Sequence, residues 1–211
     1  MSGKIAARDL CRMAPVIPVI VVEDVDHAAP LAKALVRGGL KVLEVTLRTD
    51  AALDAIRAMV DAAPDAVVGA GTLLGAADVG KAVAAGAKFG VSPGSTQSLL
   101  DAARAADLPM LPGSATPSEM MRLAEQGFDT LKFFPAEPAG GVPMLKSIAG
   151  PLPQLAFCPT GGITLEKAKA YLALPNVLCV GGSWVVPGDA IARGDWGEIE
   201  RLAAEAAALA P

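Results

Sequence analysis

One lysine stands in an otherwise apolar run, as Leu131, Lys132, Phe133 and Phe134 within "TLKFFPAE" (residues 130–137). One glutamate stands in another, as Glu44 within "VLEVTLRT" (42–49), with Arg48 four residues on. Lysine and glutamate are among the residues least often buried. Each therefore calls for an exposed end or a polar task inside the fold. If both face one cavity, an amine and a carboxyl are available for covalent chemistry. Loss of solvent disfavours the charged form of an inward amine, and a neutral amine attacks a ketone to give a Schiff base. The protonated imine withdraws electrons, so a carbon–carbon bond β to its nitrogen breaks to an enamine. Glu44 would move the protons of carbinolamine formation, dehydration and cleavage. Arg48 and Thr72 would fix a carboxylate, Arg48 by a two-pronged hydrogen bond. This is the chemistry of a class I aldolase, and it needs no metal or cofactor. The alternative is a structural ion pair, a poor stabiliser compared with apolar packing.

Glycine collects near the same places. "GAGT" ends at Thr72, "SPG" spans 92–94, "PTGG" spans 159–162 and "GGSW" spans 181–184. Glycine exposes bare backbone N–H groups and admits a ligand closely. Two Gly-Gly turns late in the chain, helped by a short helix starting near "SWVVP", would hold a phosphate dianion. The alternative is that they are only tight turns.

These residues need a scaffold that aims them at one point. Strand candidates are 16–22, 42–46, 67–71, 88–92, 109–113, 130–134, 155–160 and 177–182. Ala-rich amphipathic stretches lie between them, near 26–38, 50–63, 76–86, 96–106, 117–126, 142–149 and 165–172, with a last one at 196–209. Strict alternation implies a parallel sheet. Eight units predict a (β/α)8 TIM barrel in a single domain, 1–211, with an extra N-terminal helix. An open doubly wound sheet lacks its dinucleotide fingerprint, because "VIPVIVVEDVDHA" contains no glycine. Barrel active sites lie at the C-terminal strand ends, with phosphate after strands seven and eight. Side chains alternate along a strand. Leu131 and Phe133 then face the helices, while Thr130, Lys132 and Phe134 face inward. In the second strand Val42, Glu44, Thr46 and Arg48 share the inward side.

Composition narrows the classes further. Hydrophobic residues make up 53% and charged ones 19% of 211, which supports a large core and argues against disorder. No apolar run reaches the roughly 18 residues of a membrane helix. "MSGKIAARDLCRMAP" has no apolar leader core, so cytoplasm is expected. The net charge of −4 comes without any basic run, which argues against nucleic-acid binding. Cys11, Cys158 and Cys179 lack metal-site spacing and read as reduced, partly buried thiols. The single His27 reads as a solvated residue at a helix start, and one histidine makes a His-ligated zinc site or a Ser-His-Asp triad hard to build.

"VLEVTLRT", "GAGT", "SPG", "KFFPAE", "CPTGGI" and "GGSW" occur in order over nearly the whole chain. In this they resemble the 2-keto-3-deoxy-6-phosphogluconate (KDPG) aldolase family. The resemblance implies a class I aldolase that cleaves KDPG to pyruvate and glyceraldehyde 3-phosphate in the Entner–Doudoroff pathway. It also implies action on 4-hydroxy-2-oxoglutarate and a homotrimer. It makes Lys132 the Schiff-base lysine and Glu44 the general acid/base. Arg48, Thr72 and Pro93 would surround the pyruvate part, and Phe134 would pack on the substrate. Thr160, Gly161, Gly162, Gly182 and Ser183 would meet the hydroxyls and phosphate. Three rivals stand beside this reading, one a sister enzyme and two of other classes. A 6-phosphogalactonate aldolase differs at one carbon's configuration, and Thr160 leans away from it by resemblance. A metal-dependent pyruvate aldolase needs inward carboxylates besides Glu44. A non-catalytic sugar-phosphate binder leaves Lys132 and Glu44 unexplained.

Overall fold

A computed structural model of the protein describes residues 5–209; residues 1–4 and 210–211, the two ends of the expected 1–211 domain, lie outside the described residues. Helix α1 (Ala7–Arg12) precedes strand β1 (Val16–Ile20), and strands and helices then alternate. The first half continues with α2 (Ala28–Arg37), β2 (Val42–Thr46), α3 (Ala52–Ala62), β3 (Val67–Gly71), α4 (Ala76–Ala84), β4 (Gly90–Val91) and α5 (Gln97–Ala105). The second half holds β5 (Met110–Leu111), β6 (Gly113–Ser114), α6 (Pro117–Glu125), β7 (Thr130–Phe133), α7 (Gly141–Ile148), β8 (Ala156–Pro159) and α8 (Leu165–Leu172). It closes with β9 (Val180–Gly182), α9 (Gly188–Ala192) and α10 (Trp196–Ala207).

The helices follow from apolar residues at helical spacing. In α3 the buried residues are Ala52, Ala55, Ile56 and Met59, one stripe of a 3.6-residue period. Their starts follow from capping. Thr96, Thr116, Thr164 and Asp195 each accept a backbone N–H at the head of α5, α6, α8 and α10. At α6 the Glu119 carboxylate also accepts from the Thr116 N–H at 2.9 Å, completing a reciprocal box.

Strand pairs are parallel throughout the described residues. The result is an α/β fold on curled parallel sheets, ordered β5-β4-β3-β2-β1-β9 and β6-β7-β8. Two single bridges, Phe157 to Val177 and Thr160 to Gly181, join the β8 side to the β9 side. Strand parity sorts the core into two clusters. Leu43, Val45, Leu131 and Phe133 pack with the helices in an outer cluster. Ile17, Val42, Phe89, Val91, Leu111, Cys158 and Cys179 form an inner one, and Leu10 and Cys11 of α1 complete it.

Three details depart from the sequence expectation. The strand expected at 109–113 is two pieces flanking Pro112, which has no N–H to donate to a ladder. Its carbonyl still accepts from the Lys132 N–H at 2.9 Å. The strand expected at 88–92 shrinks to Gly90–Val91, although Lys88 N–H still donates to the Val68 carbonyl at 2.8 Å. The short helix expected near "SWVVP" starts later, at Gly188. Among the described residues no helix is long and apolar enough to cross a membrane.

Candidate active site

Lys132 on β7 and Glu44 on β2 meet inside the sheets. Each is 3% exposed, and Lys132 Nζ donates to Glu44 Oε1 at 3.3 Å. Lys132 lies across the strand from Leu131 and Phe133, in register with Gly113 and Cys158. Glu44 is in register with Val19 and Gly69. Its carboxylate fits because the end of β3 is bare: a Cβ at Gly71 would collide with Glu44 Oε1. Burial pushes the Glu44 carboxyl above its ordinary range, and the Lys132 ammonium offsets part of that rise. The group is thereby better suited than an exposed carboxylate to hold a proton and pass it on. Lys132 Nζ also lies 5.3 Å from the centre of the Phe134 ring.

Arg48 and Thr72 are joined directly, Arg48 Nε donating to Thr72 Oγ1 at 3.1 Å. Thr72 sits at φ +61°, a left-handed conformation that a β-branched residue adopts only under strain. That strain aims its hydroxyl at the guanidinium.

A cavity of about 260 Å³ lies at the same end of the strands. Of the expected residues, Arg48, Phe134, Thr160, Gly161, Gly162, Gly182 and Ser183 line it, whereas Lys132, Glu44 and Thr72 do not. Phe134 and Thr160 stand two residues beyond Lys132 and its register partner Cys158, so the Lys132–Glu44 pair lies one layer of side chains below the lining. Pro93 is set apart, in a neighbouring hollow with Leu73, Leu74 and Thr96. Gly181, the first glycine of "GGSW", also lines the cavity, as do Val19, Val21 and Ile163, to which sequence reasoning gave no role. Inward parity applied to β1 would have found Val19, which pairs with Glu44.

Gly161 and Gly162 turn at φ +106° and +76°, where a side chain would be strained. The Thr160 carbonyl accepts from Ala136 N–H at 2.8 Å and the Gly161 carbonyl from Glu137 N–H at 3.2 Å. Among the described residues, the N–H groups of Gly162 and Ile163 have no protein partner, while that of Gly161 faces Gly181 across the bridge from Thr160. Successive unpaired amides of this kind form an anion-binding concavity. After β9 no helix start meets the cavity. Val186 N–H closes a turn onto the Ser183 carbonyl at 3.1 Å, so the contribution there is turn backbone rather than a helix terminus.

The remaining candidates lie elsewhere. Cys11, Cys158 and Cys179 are free and buried in the inner cluster. His27 sits in a 3-10 turn before α2, its ring 5.7 Å from that of Trp196. A larger cavity of about 490 Å³, beside Ala7, Arg104, Leu108, Phe128 and Asp129, contains none of the expected site residues.

Known proteins resemble the chain over most of its length. Residues 7–202 match the family model described as KDPG and KHG aldolase. The chain is 51% identical over 207 residues to a protein of Pseudoalteromonas atlantica named 2-dehydro-3-deoxy-phosphogluconate aldolase, covering 98% of this chain and 96% of that one. It is 52% identical over 205 residues to the Escherichia coli K12 protein named KHG/KDPG aldolase, with 97% and 96% covered. Among solved structures it is similar to KDPG aldolase from Legionella pneumophila with pyruvate captured at low pH as a covalent carbinolamine intermediate. The TM-score is 0.92 at 47% identity, covering 95% of this chain and 97% of that chain.

Proposed function

Since the chain belongs to the KDPG and KHG aldolase family, we propose that it is a class I aldolase cleaving 2-keto-3-deoxy-6-phosphogluconate to pyruvate and glyceraldehyde 3-phosphate. The observation that carries this reading is the buried pair of Lys132 and Glu44, one layer of side chains below a cavity walled by two glycine turns.

In this mechanism the neutral Lys132 amine adds to the keto carbon; Glu44 gives its proton to the resulting alkoxide and takes one from the nitrogen. Glu44 then gives that proton to the hydroxyl, which leaves as water, so a protonated imine faces a Glu44 carboxylate. The carboxylate takes the proton of the C4 hydroxyl as the C3–C4 bond breaks. The electron pair of that bond moves into the imine as an enamine, and the aldehyde departs. Glu44 returns the proton to the enamine carbon, and addition of water to the imine releases pyruvate and free lysine. The raised proton affinity of Glu44 suits a group that alternates between donor and acceptor. Arg48, held by Thr72, would engage the substrate carboxylate, with Pro93 bordering the pyruvate end. Phe134 would pack against the substrate chain, and Thr160 would meet its hydroxyls. Gly161, Gly162, Gly182 and Ser183 would hold the phosphate through backbone donors. The same active site would accept 4-hydroxy-2-oxoglutarate.

The scaffold in this reading is one closed (β/α)8 barrel over 1–211, with α1 as the extra helix. Three observations support it. Pro112 alone separates β5 from β6, single bridges tie β8 to the β9 side, and α10 packs on α2. The homotrimer and the cytoplasmic location rest on the family reading.

Incubation with pyruvate and borohydride tests the mechanism. The expected result is irreversible inactivation with the adduct on Lys132. No adduct, or one on Lys88 or Lys146, would overturn it. Turnover of the gluconate against the galactonate substrate decides between the epimers.

A further inference from the structure

Behind the Gly161–Gly162 turn lies a polar cluster that the mechanism does not use. Tyr171 OH donates to Glu137 Oε1 at 2.5 Å, and Lys167 Nζ donates to Glu137 Oε2 at 2.5 Å. Lys167 Nζ also donates to the Gly162 carbonyl at 3.4 Å. The Glu137 backbone N–H binds the Gly161 carbonyl at 3.2 Å. One residue thus reaches both carbonyls of the turn, one directly and the other through Lys167. A Cβ at Gly162 would stand 2.9 Å from Glu137 Cγ, so the carboxylate stem is packed flush against the turn.

The cluster is rigidly founded. Lys167 and Tyr171 are four residues apart on one face of α8, and Tyr171 is 1% exposed. Lys167 holds the Glu137 carboxyl below its ordinary range, with Tyr171 adding to the effect, so Glu137 is ionised at neutral pH. None of the three side chains lines the cavity.

Peptide geometry connects this cluster to the ligand. In a trans peptide the C=O of one residue and the N–H of the next point in opposite directions. Fixing the Gly161 carbonyl therefore fixes the Gly162 N–H, and fixing the Gly162 carbonyl fixes the Ile163 N–H. Both N–H groups lack a protein partner, and both residues line the cavity. We infer that Glu137, Lys167 and Tyr171 are positioning residues that aim the Gly162 and Ile163 amides at the phosphate of the substrate. Two glycines at positive φ have many alternative conformations, and the brace selects one. Lys167 has a second effect. It balances the Glu137 carboxylate, which would otherwise place a negative charge behind an anion site.

The inference rests on the phosphate reading of this cavity, and the test separates the two. The probes are 2-keto-3-deoxy-6-phosphogluconate and 2-keto-3-deoxygluconate, the same acid without phosphate. In Glu137→Gln, Lys167→Met and Tyr171→Phe, the ratio of kcat/KM for the phosphorylated over the plain acid should fall about tenfold or more. The loss should appear mainly in KM, and borohydride should still trap pyruvate on Lys132. Lys167→Arg, which keeps the cation, should restore the ratio. Glu137→Gln combined with Lys167→Met should be no worse than the poorer single variant, because the residues act as one unit. Equal losses on both substrates, or an unchanged ratio, would overturn the brace. If the parent shows no preference for the phosphorylated acid and inorganic phosphate does not compete, the phosphate reading itself fails, and the brace with it.

Discussion

Lys132 and Glu44 are a costly arrangement for folding and, in the proposed mechanism, a useful one for catalysis. Buried ion pairs seldom match apolar packing in stability. The bare Gly71 beside Glu44 shows that the backbone is shaped around the carboxylate. Glu44→Gln should fold and slow turnover by roughly two to four powers of ten. It should also change how stability varies with pH. The folded-state carboxyl binds its proton more tightly than the unfolded one, because burial raises its affinity. That contribution is fully present below the ordinary carboxylate range and is lost as pH rises through the raised value. Urea midpoints measured from acid to neutral pH should therefore show Glu44→Gln gaining on the parent as pH rises. A constant difference would contradict the raised affinity. Both charged residues were legible in the sequence because single charges interrupt apolar strands at a fixed parity. The contact between Arg48 and Thr72 was legible only as chemistry. The strained backbone at Thr72 has no composition signal, since threonine is a poor choice for that conformation.

At the level of elements, helix starts and strand parity were readable because they depend on local sequence. The capping box at α6 is an instance: "TPSE" holds both halves of it, and the structure forms both. Thr116→Ala should cost about 1 kcal/mol of stability while leaving the specificity of the enzyme untouched. A thermal or urea melt checks this, and an unchanged midpoint would mean that α6 is held by packing alone. Pieces that depend on distant partners were not readable. The break at Pro112 could be suspected from the residue type, but the length of β4 could not. The brace of Glu137, Lys167 and Tyr171 joins side chains 30 and 34 residues apart on different elements. Strand and helix periodicity says nothing about such a meeting. Pro93 was assigned to the pyruvate end by motif, and it lines a hollow with Leu73, Leu74 and Thr96.

At the level of the whole molecule, the alternation of eight units was visible from end to end, and the sheets that it builds are unevenly joined. From β5 round to β9 the ladders are continuous, and so are those from β6 to β8. Between the β8 side and the β9 side, among the described residues, only the bridges at Phe157 and Thr160 carry the pairing. The two glycine turns flank this same seam, one after β8 and one at the end of β9. A phosphate gripped by both would act as a rivet across the thinnest join in the wall. Amide exchange at Gly161 to Ile163 and at Gly181 to Ser183 should then slow when inorganic phosphate or glyceraldehyde 3-phosphate is added. Unchanged exchange there would separate binding from closure. On this view the substrate, through its phosphate, would finish the wall that encloses it.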